Sequence, residues 1–247
     1  MPIWGMRKAD RVAEALLRRI AGGELAPGTI LPREAELATA FEVNRSVIRE
    51  AMKQLEAHGL VQPVKRRGTV VLDPLDSPSP DVLRAMLEPR PGAIDRGVLA
   101  DLLEVRATLD EEMTALAAER RDEDDLVALE AIVARLAEAL GDPERYAAAM
   151  DDFTLALARA TKNRIYQILV RWHHRVRGEV PPLGMLIQLA NEPHLSGVRF
   201  MLELTRERRS DDARAFVSAV HTWSTPRALA GAALASGAPL DSLETMT

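Results

Sequence analysis

The chain has 247 residues, of which 47% are hydrophobic and 28% charged, and its formal net charge is -5. This length fits one large domain or two modest ones, and the composition is ordinary for a soluble globular protein. The absence of cysteine excludes disulfides and thiolate metal sites, and no apolar run approaches the roughly 20 residues of a membrane helix.

Residues 1–72 predict three short helices followed by a β-hairpin. Apolar side chains recur at intervals of three and four in the helical stretches, and a turn-rich connector, GELAPGTILP, precedes the second helix. The predicted segments are helices at 8–21, Arg33–Ala40 and Arg45 to about Ala57, and strands at Leu60–Val64 and Thr69–Leu72. This is the element order of a winged helix-turn-helix.

The third predicted helix carries a cationic stripe opposite its apolar face. Arg45, Arg49 and Lys53 lie four apart, so they share one outer face. Such a helix fits a major groove, with its first residues at base edges and Lys53 at a phosphate. The hairpin turn Lys65-Arg66-Arg67 adds cations beside a flanking groove. The alternative is a solvated basic face on an ordinary helix, but the element order and the wing favour DNA binding.

The chain changes character at residues 73–80, DPLDSPSP, which we interpret as a linker because prolines break helices and central strands. Beyond it the sequence is rich in Ala, Leu, Glu and Arg with helical periodicity. The predicted helices lie at 98–120, 122–140, 143–161, 163–178, 181–190, 193–208 and 211–232. The predicted fold class is therefore mainly α: a winged helix-turn-helix over 1–72, an all-α helical bundle over 81–232, and a flexible tail over 233–247.

Charge is distributed unevenly between these parts. Residues 1–72 contain 12 Lys and Arg against 8 Asp and Glu, whereas the remaining residues contain 20 against 29. A basic head on an acidic body indicates that the head meets a polyanion, although a small excess of this kind is common. The basic N-terminus is followed by no apolar run, so we expect no signal peptide and a cytoplasmic protein.

The N-terminal part resembles the DNA-binding domain of the GntR family of bacterial regulators. The residues that carry the resemblance are GELAPGTILPREAEL (23–37), VNRSVIREAMKQLEAHGLV (43–61) and RRGTVV (66–71). The resemblance implies that the start of the third helix meets DNA and that the wing turn reaches the minor groove. The family usually has an arginine where this chain has Ala35. The candidate DNA contacts are Arg33, Asn44, Arg45, Ser46, Val47, Arg49, Lys53, Lys65, Arg66, Arg67 and Gly68.

The C-terminal part resembles the FCD effector domain of the FadR subfamily, in LLEVRATLDEEMTALAAER (102–120), FTLALARATKNRIYQIL (153–169) and DDARAFVSAVHTW (211–223). The resemblance implies six or seven helices around a pocket, in which many members hold a divalent metal through one Asp and three His. Those positions fall at Met150, Thr154, about Phe200 and His221, so only His221 matches. We therefore predict neither metal nor cofactor.

The same resemblance gives a candidate effector pocket made of Arg106, Met150, Phe153, Thr154, Leu157, Phe200 and His221. With metal ligands replaced by apolar residues, the pocket favours an acyl-CoA or fatty acid. The alternative is a small organic acid held by Arg106, or Arg106 paired with a protein carboxylate such as Asp152. A solvated helix face is favoured over contact with the phosphates of a CoA for Arg171, His173, His174, Arg175 and Arg177. A core position is favoured over a place in the pocket wall for Trp172 and Trp223.

These patterns predict a transcription regulator, controlled by a small molecule, that binds a palindromic operator as a homodimer. The rival hypothesis is a helical enzyme with a DNA-binding head, but the chain has no nucleophile elbow, HExxH or phosphate-binding glycine loop. A third hypothesis is an architectural DNA-binding protein, which a helical domain without a pocket would favour.

Overall fold

The computed structural model describes residues 7–77, 79–179 and 190–235. The chain divides into two compact units after Asp95, and each unit is described by itself. The fold class is mainly α, as the sequence predicts, with a single two-stranded sheet among the described residues. The helix predicted at 181–190 and most of the tail predicted at 233–247 lie outside the described residues.

The first unit contains a three-helix core, a β-hairpin and one further helix. Its elements are α1 (Lys8–Ala21), α2 (Glu34–Ala40), α3 (Arg45–Ala57), β1 (Val61–Val64), β2 (Gly68–Val71), a 3-10 turn (Pro74–Asp76) and α4 (Pro80–Leu87). The buried stripe of α1, with Leu16 and Ile20, packs on Ile48 and Leu55 of α3. These positions recur every three or four residues, which is why both segments fold as helices with one buried face.

The wing is broader than the predicted hairpin. Strands β1 and β2 are antiparallel, with Val61 opposite Val71. The connector before α2 also pairs with β2, because the amide of Leu31 donates to the carbonyl of Thr69 at 2.8 Å and the amide of Val71 donates to that of Thr29 at 2.9 Å. This pairing fixes the wing to the segment that leads into α2.

The proline-rich segment 73–80 does not mark the boundary between the compact units. Ser77 donates a hydrogen bond from Oγ to the carbonyl of His58 at 2.6 Å, and Pro80 begins α4, where a proline needs no amide partner. In α4, Val82 and Ala85 are buried in the core of the first unit. The residues after the predicted linker therefore belong to the first unit, because they supply part of its apolar core.

The second unit is helical throughout its described residues. Its elements are α5 (Arg96–Arg120), α6 (Glu123–Glu138), α7 (Pro143–Ala160), α8 (Arg164–Glu179), α9 (Glu192–Arg206) and α10 (Ser210–Ala235). The side chains of Asp122, Asp142 and Asn191 cap the first turns of α6, α7 and α9. Helix α10 continues past residue 232, where the sequence predicted the tail to begin.

Helix α5 lies along α10 and also contacts α7 and α9, so it forms the centre of the second unit. The core beside it contains Leu129, Tyr146, Phe153 and Leu195, all of which are almost fully buried. No helix in the described ranges combines the length and the apolar character needed to cross a bilayer. The packing of α5, α7 and α8 leaves the cavity described below.

Candidate functional site

The outer face of α3 presents the cationic stripe. Arg45, Arg49 and Lys53 are exposed, whereas Ile48 and Leu55 are completely buried. The helix is therefore rotated as its periodicity predicts, with guanidinium and ammonium groups directed to solvent. An exposed helix of this kind can enter a major groove without rearrangement of the core.

The start of α3 is open to solvent. Asn44 occupies the N-cap position, but its side chain caps no amide, and its Oδ1 instead accepts a hydrogen bond from Ser46 Oγ at 3.2 Å. Val47 is half-buried against the core of the unit. The amide of Val47 donates to the carbonyl of Asn44 at 3.1 Å, but no side chain caps the first turn of α3, as suits contact with an anion.

Two further cations flank this helix. Arg33, predicted as the first residue of the second helix, is exposed at the N-cap of α2. Lys8, at the start of α1, lines a shallow hollow together with Asn44 and Arg45. No sequence pattern selects Lys8, because its proximity to α3 depends on how the helices pack.

The wing turn exposes all its predicted residues. Lys65, Arg66, Arg67 and Gly68 are all exposed. Arg66 has φ 66° and Gly68 has φ 109°, both in the left-handed region, where glycine is favoured. This tight turn directs three consecutive cationic residues away from the sheet, where phosphates can approach them.

A cavity of about 190 Å³ lies between α5, α7, α8 and α9 in the second unit. One part of its wall is apolar, with Leu102, Val105, Leu109, Met150, Leu169, Val170 and Trp172. The other part carries polar or ionisable groups, from Arg106, Asp110, Asp151, Thr154, Tyr166, His173, His174, Arg177 and His194. The cavity is thus apolar on one side and hydrogen-bonding on the other, as in most small-molecule sites.

Arg106 and Asp110 form the ion pair at the centre of the polar wall. Arg106 Nε donates to Asp110 Oδ2 at 3.1 Å, and His221 Nε2 lies 3.1 Å from the same oxygen. Burial would raise the pKa of Asp110, but the charge of Arg106 and the hydrogen bond of His221 outweigh it and hold that pKa below its usual range. Asp110 is therefore an ionised carboxylate that fixes the orientation of Arg106.

His173 is the unusual group of the cavity. Among the described side chains, its Nε2 is the buried polar atom without a hydrogen-bond partner. Burial, followed by the nearby charge of Arg106, lowers the pKa of His173 to about 3, so its ring is neutral at physiological pH. A buried polar atom without a partner costs stability, and a ligand with a complementary group would remove that cost.

A second ion pair lies on the same wall. Arg177 Nη2 donates to Asp151 Oδ1, and His174 Nε2 lies 3.5 Å from this oxygen. Burial lowers the pKa of His174, although the charge of Asp151 opposes this shift. The two guanidinium groups and two carboxylates of the wall therefore balance in charge.

The structure distributes the predicted pocket residues between the cavity and other sites. Arg106, Met150 and Thr154 line the cavity, and His221 lies behind Asp110, which it contacts. Phe153 and Leu157 are instead buried in the core, and Phe200 is 49% exposed and stacks edge-to-face on Phe216. Successive residues of a helix are rotated by about 100°. Phe153 and Leu157 therefore lie on a face of α7 next to the cavity-lining face that carries Met150 and Thr154.

Other cavity residues differ from the sequence-based interpretation. Asp110, not Asp152, pairs with Arg106, while Asp152 pairs with Arg135 at 2.8 Å. His173, His174 and Arg177 line the cavity rather than a solvated face, and Trp172 joins them, whereas Trp223 is 53% exposed. Arg106 and Asp110 are four residues apart on one helix, so their spacing in the sequence could have predicted this ion pair.

The family's metal ligands are not reproduced by this donor set. Met150 and Thr154 occupy one helix face, Phe200 offers no donor atom, and His221 is engaged by Asp110. Over the described ranges, no group of three or more His, Cys, Asp or Glu side chains is arranged to hold a metal ion. These residues therefore do not fit the metal that the resemblance implies.

Comparison with known proteins connects both units to one family. Residues 8–71 match the bacterial regulatory proteins of the gntR family, and residues 101–221 match the FCD domain. The chain belongs to the GntR family. It combines the DNA-binding domain and the effector domain of GntR-family transcription regulators, and it is a DNA-binding transcription regulator.

Individual relatives agree with this assignment. The regulator LutR of Bacillus subtilis is 34% identical over 152 residues, which cover 61% of this chain and 67% of LutR. The galactonate operon transcriptional repressor of Escherichia coli is 30% identical over 169 residues, which cover 66% of this chain and 71% of the repressor. The structure of Lar from Listeria monocytogenes has the same fold, with a TM-score of 0.58 and 24% identity over 90% of this chain and 97% of Lar.

Proposed function

We propose that this GntR-family regulator reads operator DNA with α3 and the wing, and that a small carboxylate bound in the cavity controls it. The observation that carries the effector part of the proposal is that one cavity of about 190 Å³ is lined by Arg106 and by a neutral His173 whose Nε2 has no hydrogen-bond partner. The DNA part depends on the exposure of Arg45 and Arg49.

The DNA-reading face combines base and phosphate contacts. Arg45 and Arg49 at the start and middle of α3 suit guanine, to which arginine binds through two hydrogen bonds. Arg33, Lys53 and the wing cations suit phosphates, which fix position rather than sequence. Two copies of the chain would present two such faces to a palindromic operator with half-sites about one helical turn apart.

Arg45→Ala tests this face. We expect it to weaken binding to a duplex selected by the native protein from a random library by about 1–3 kcal/mol, because a base contact is lost. Fluorescence anisotropy with full-length protein measures the affinity. Arg175→Ala, which removes an exposed arginine from the second unit, is the matched control. Equal affinities of the Arg45→Ala and native proteins would contradict the proposal.

The size of the cavity favours a small acid over an acyl-CoA. Pockets for drug-sized ligands have volumes of about 300–1,000 Å³, and this cavity is smaller. Arg106 uses Nε for Asp110, which leaves its Nη groups for a ligand carboxylate. Nε2 of His173 suits a hydroxyl group beside that carboxylate. One relative is named for a galactonate operon, and galactonate is a small acid of this chemical type.

A thermal-shift experiment separates the two effector classes. Full-length protein is heated with galactonate, lactate, propionate or palmitoyl-CoA. We expect a hydroxy acid to raise the melting temperature by about 5–10 °C at about 100 times its Kd. Arg106→Lys removes the paired donors and should abolish the rise, whereas Arg135→Lys changes an ion pair outside the cavity and should preserve it. Stabilisation by palmitoyl-CoA alone would refute the proposal.

Control of DNA binding then requires that the acid binds two states of the protein unequally. A ligand shifts an equilibrium only by its difference in affinity for the two states. A small acid that raised the melting temperature but left operator affinity unchanged would be a bound ligand without regulatory effect.

A further inference from the structure

We propose that Glu34 is a positioning residue for DNA reading, which holds Arg49 in one orientation and so increases the discrimination between bases. The inference rests on the proposed role of α3 in reading DNA. It concerns a carboxylate on α2 that the sequence motifs of DNA contact do not include.

The contact joins the first residue of α2 to the middle of α3. Arg49 Nε donates a hydrogen bond to Glu34 Oε2 at 2.8 Å. Both helices are held by the apolar core of the unit, through Leu37 of α2 and Ile48 of α3. Glu34 therefore anchors the end of a long side chain to a rigid part of the fold.

The geometry leaves the useful edge of the guanidinium free. Only Nε of Arg49 is engaged by Glu34, and the two Nη groups have no acceptor among the residues that the structure describes. A guanine offers two acceptors, O6 and N7, to two parallel donors. An arginine held at Nε can thus present both Nη groups to a base edge, whereas an arginine engaged at both Nη groups cannot.

The pair has little value for the stability of the fold. The side chain of Arg49 is 64% exposed and that of Glu34 is 42% exposed, and exposed ion pairs contribute little to folding. Orientation before binding has a different benefit, because a flexible side chain loses rotamer entropy when it is immobilised by a partner. The contact reduces the entropy that Arg49 loses on binding DNA.

The charge of Glu34 acts differently from its contact with Arg49. A negative charge beside the DNA-reading face repels every phosphate backbone, whatever its sequence. Specificity is a difference between affinities, and a repulsion common to all duplexes cancels in that difference. The ratio of two affinities therefore measures the orienting contact and not the charge.

Glu34→Ala and Glu34→Gln separate orientation from charge. Affinities of full-length protein are measured for the selected duplex and for a scrambled duplex of equal composition. We expect Glu34→Ala to reduce the ratio of the two affinities about tenfold, since a base contact of an arginine discriminates by roughly that factor. Glu34→Gln keeps an oxygen that accepts from Nε, so it should retain part of the ratio. A pure charge effect would make the two variants equal.

Two controls complete the experiment. Glu56→Ala removes another exposed carboxylate, at the last turn of α3, and should leave the ratio unchanged. In an Arg49→Ala background, Glu34→Ala should no longer change the ratio. The inference is overturned if the ratio is unchanged by Glu34→Ala, if Gln and Ala variants are equal, or if the effect persists without Arg49.

The outcomes also distinguish this inference from the proposed function. If Arg45→Ala and Arg49→Ala both preserve the affinity ratio, the proposed DNA-reading face is wrong. If Arg49→Ala reduces the ratio while Glu34→Ala does not, only the positioning role fails. Melting temperatures of each variant, which we expect to match that of the native protein, verify that the fold is intact.

Discussion

The candidate site residues of the two units differ in their exposure to solvent. Arg45, Arg49 and the wing cations are exposed, where a charge surrounded by water needs no partner, and the proposed contact with a duplex requires this exposure. Asp110 is half-buried in the cavity wall, and it is paired with Arg106 and His221, since a charge that is largely removed from water is costly without a partner. His173 is half-buried with its Nε2 atom buried, and its ring is neutral, so its protonation links stability to pH.

The neutral state of His173 predicts a loss of stability in acid. The unfolded chain takes up a proton at this residue below pH 6.5, whereas the folded pKa is about 3, so the free energy of unfolding falls as pH is lowered through this window. Between pH 7 and about pH 5 the loss is about 2 kcal/mol. Urea unfolding of native protein and His173→Gln at both pH values measures it. The native protein should lose more stability than the variant, and equal losses would contradict the burial of a neutral ring.

Gly68 in the wing predicts a strained substitution. Its φ is 109°, and an added Cβ would lie 3.2 Å from Cγ2 of Ile30. We expect Gly68→Ala to destabilise the protein by about 1–2 kcal/mol, because an L residue is disfavoured in this conformation. Thermal unfolding measures the change. Gly178→Ala lies within α8, where no described atom is within 4 Å of the new Cβ, and should not destabilise. Equal melting temperatures of Gly68→Ala and native protein would contradict the turn geometry.

At the scale of secondary structure, α4 shows how an element is assigned to a unit. Val82 and Ala85 contribute to the same core as α1. The carboxylate of Glu14 accepts hydrogen bonds from Arg84 Nη2 and from Arg18 Nε, both at 2.6 Å. Burial would raise the pKa of Glu14, but the two arginines lower it. An apolar face and an ion-pair cluster therefore attach α4 to α1.

Glu14→Gln should weaken this attachment. The variant removes the charge from three charge-assisted hydrogen bonds in a side chain that is only 26% exposed, so we expect a loss of about 2 kcal/mol. Glu24→Gln, in an exposed pair with Arg19, should cost less than about 0.5 kcal/mol. Urea denaturation of the two variants provides the measurement. A similar cost for both would indicate that the Glu14 cluster does not stabilise α4.

The whole molecule combines two compact units with different chemistry. The first, up to Asp95, carries the exposed cations, and the second carries the cavity and its balanced charges. The proposed function requires this separation, since a polyanion is bound on a surface while a small ligand is bound by enclosure. It also determines where the chain can be divided without loss of a core.

Truncation tests that division. A chain that ends after Asp95 keeps α4, whereas a chain that ends after Leu72 loses Val82 and Ala85 from the core of the first unit. We expect the shorter chain to be less stable by about 3 kcal/mol, because buried apolar surface becomes exposed. Circular dichroism during urea unfolding compares them. Equal midpoints would mean that α4 adds nothing to the first unit.

The sequence by itself determined the fold class, the positions of the described helices other than α4, and the exposed stripe of α3. Each depends on local information, since apolar spacing, caps and breakers act over a few residues. The orientation of Arg45, Arg49 and Lys53 follows from the same periodicity. Even the resemblance to GntR regulators is carried by short segments, such as the residues around Asn44.

Only the tertiary structure decided which side chains meet in the cavity, and that α4 belongs to the first unit. Arg106, Asp151, His173 and His194 come from four helices, so their proximity depends on rotations and crossings that no single segment encodes. A shift of one residue turns a helical side chain by about 100°, which is enough to place Phe153 in the core while Thr154 lines the cavity. Burial, and with it the protonation state of His173, is a property of the packed molecule.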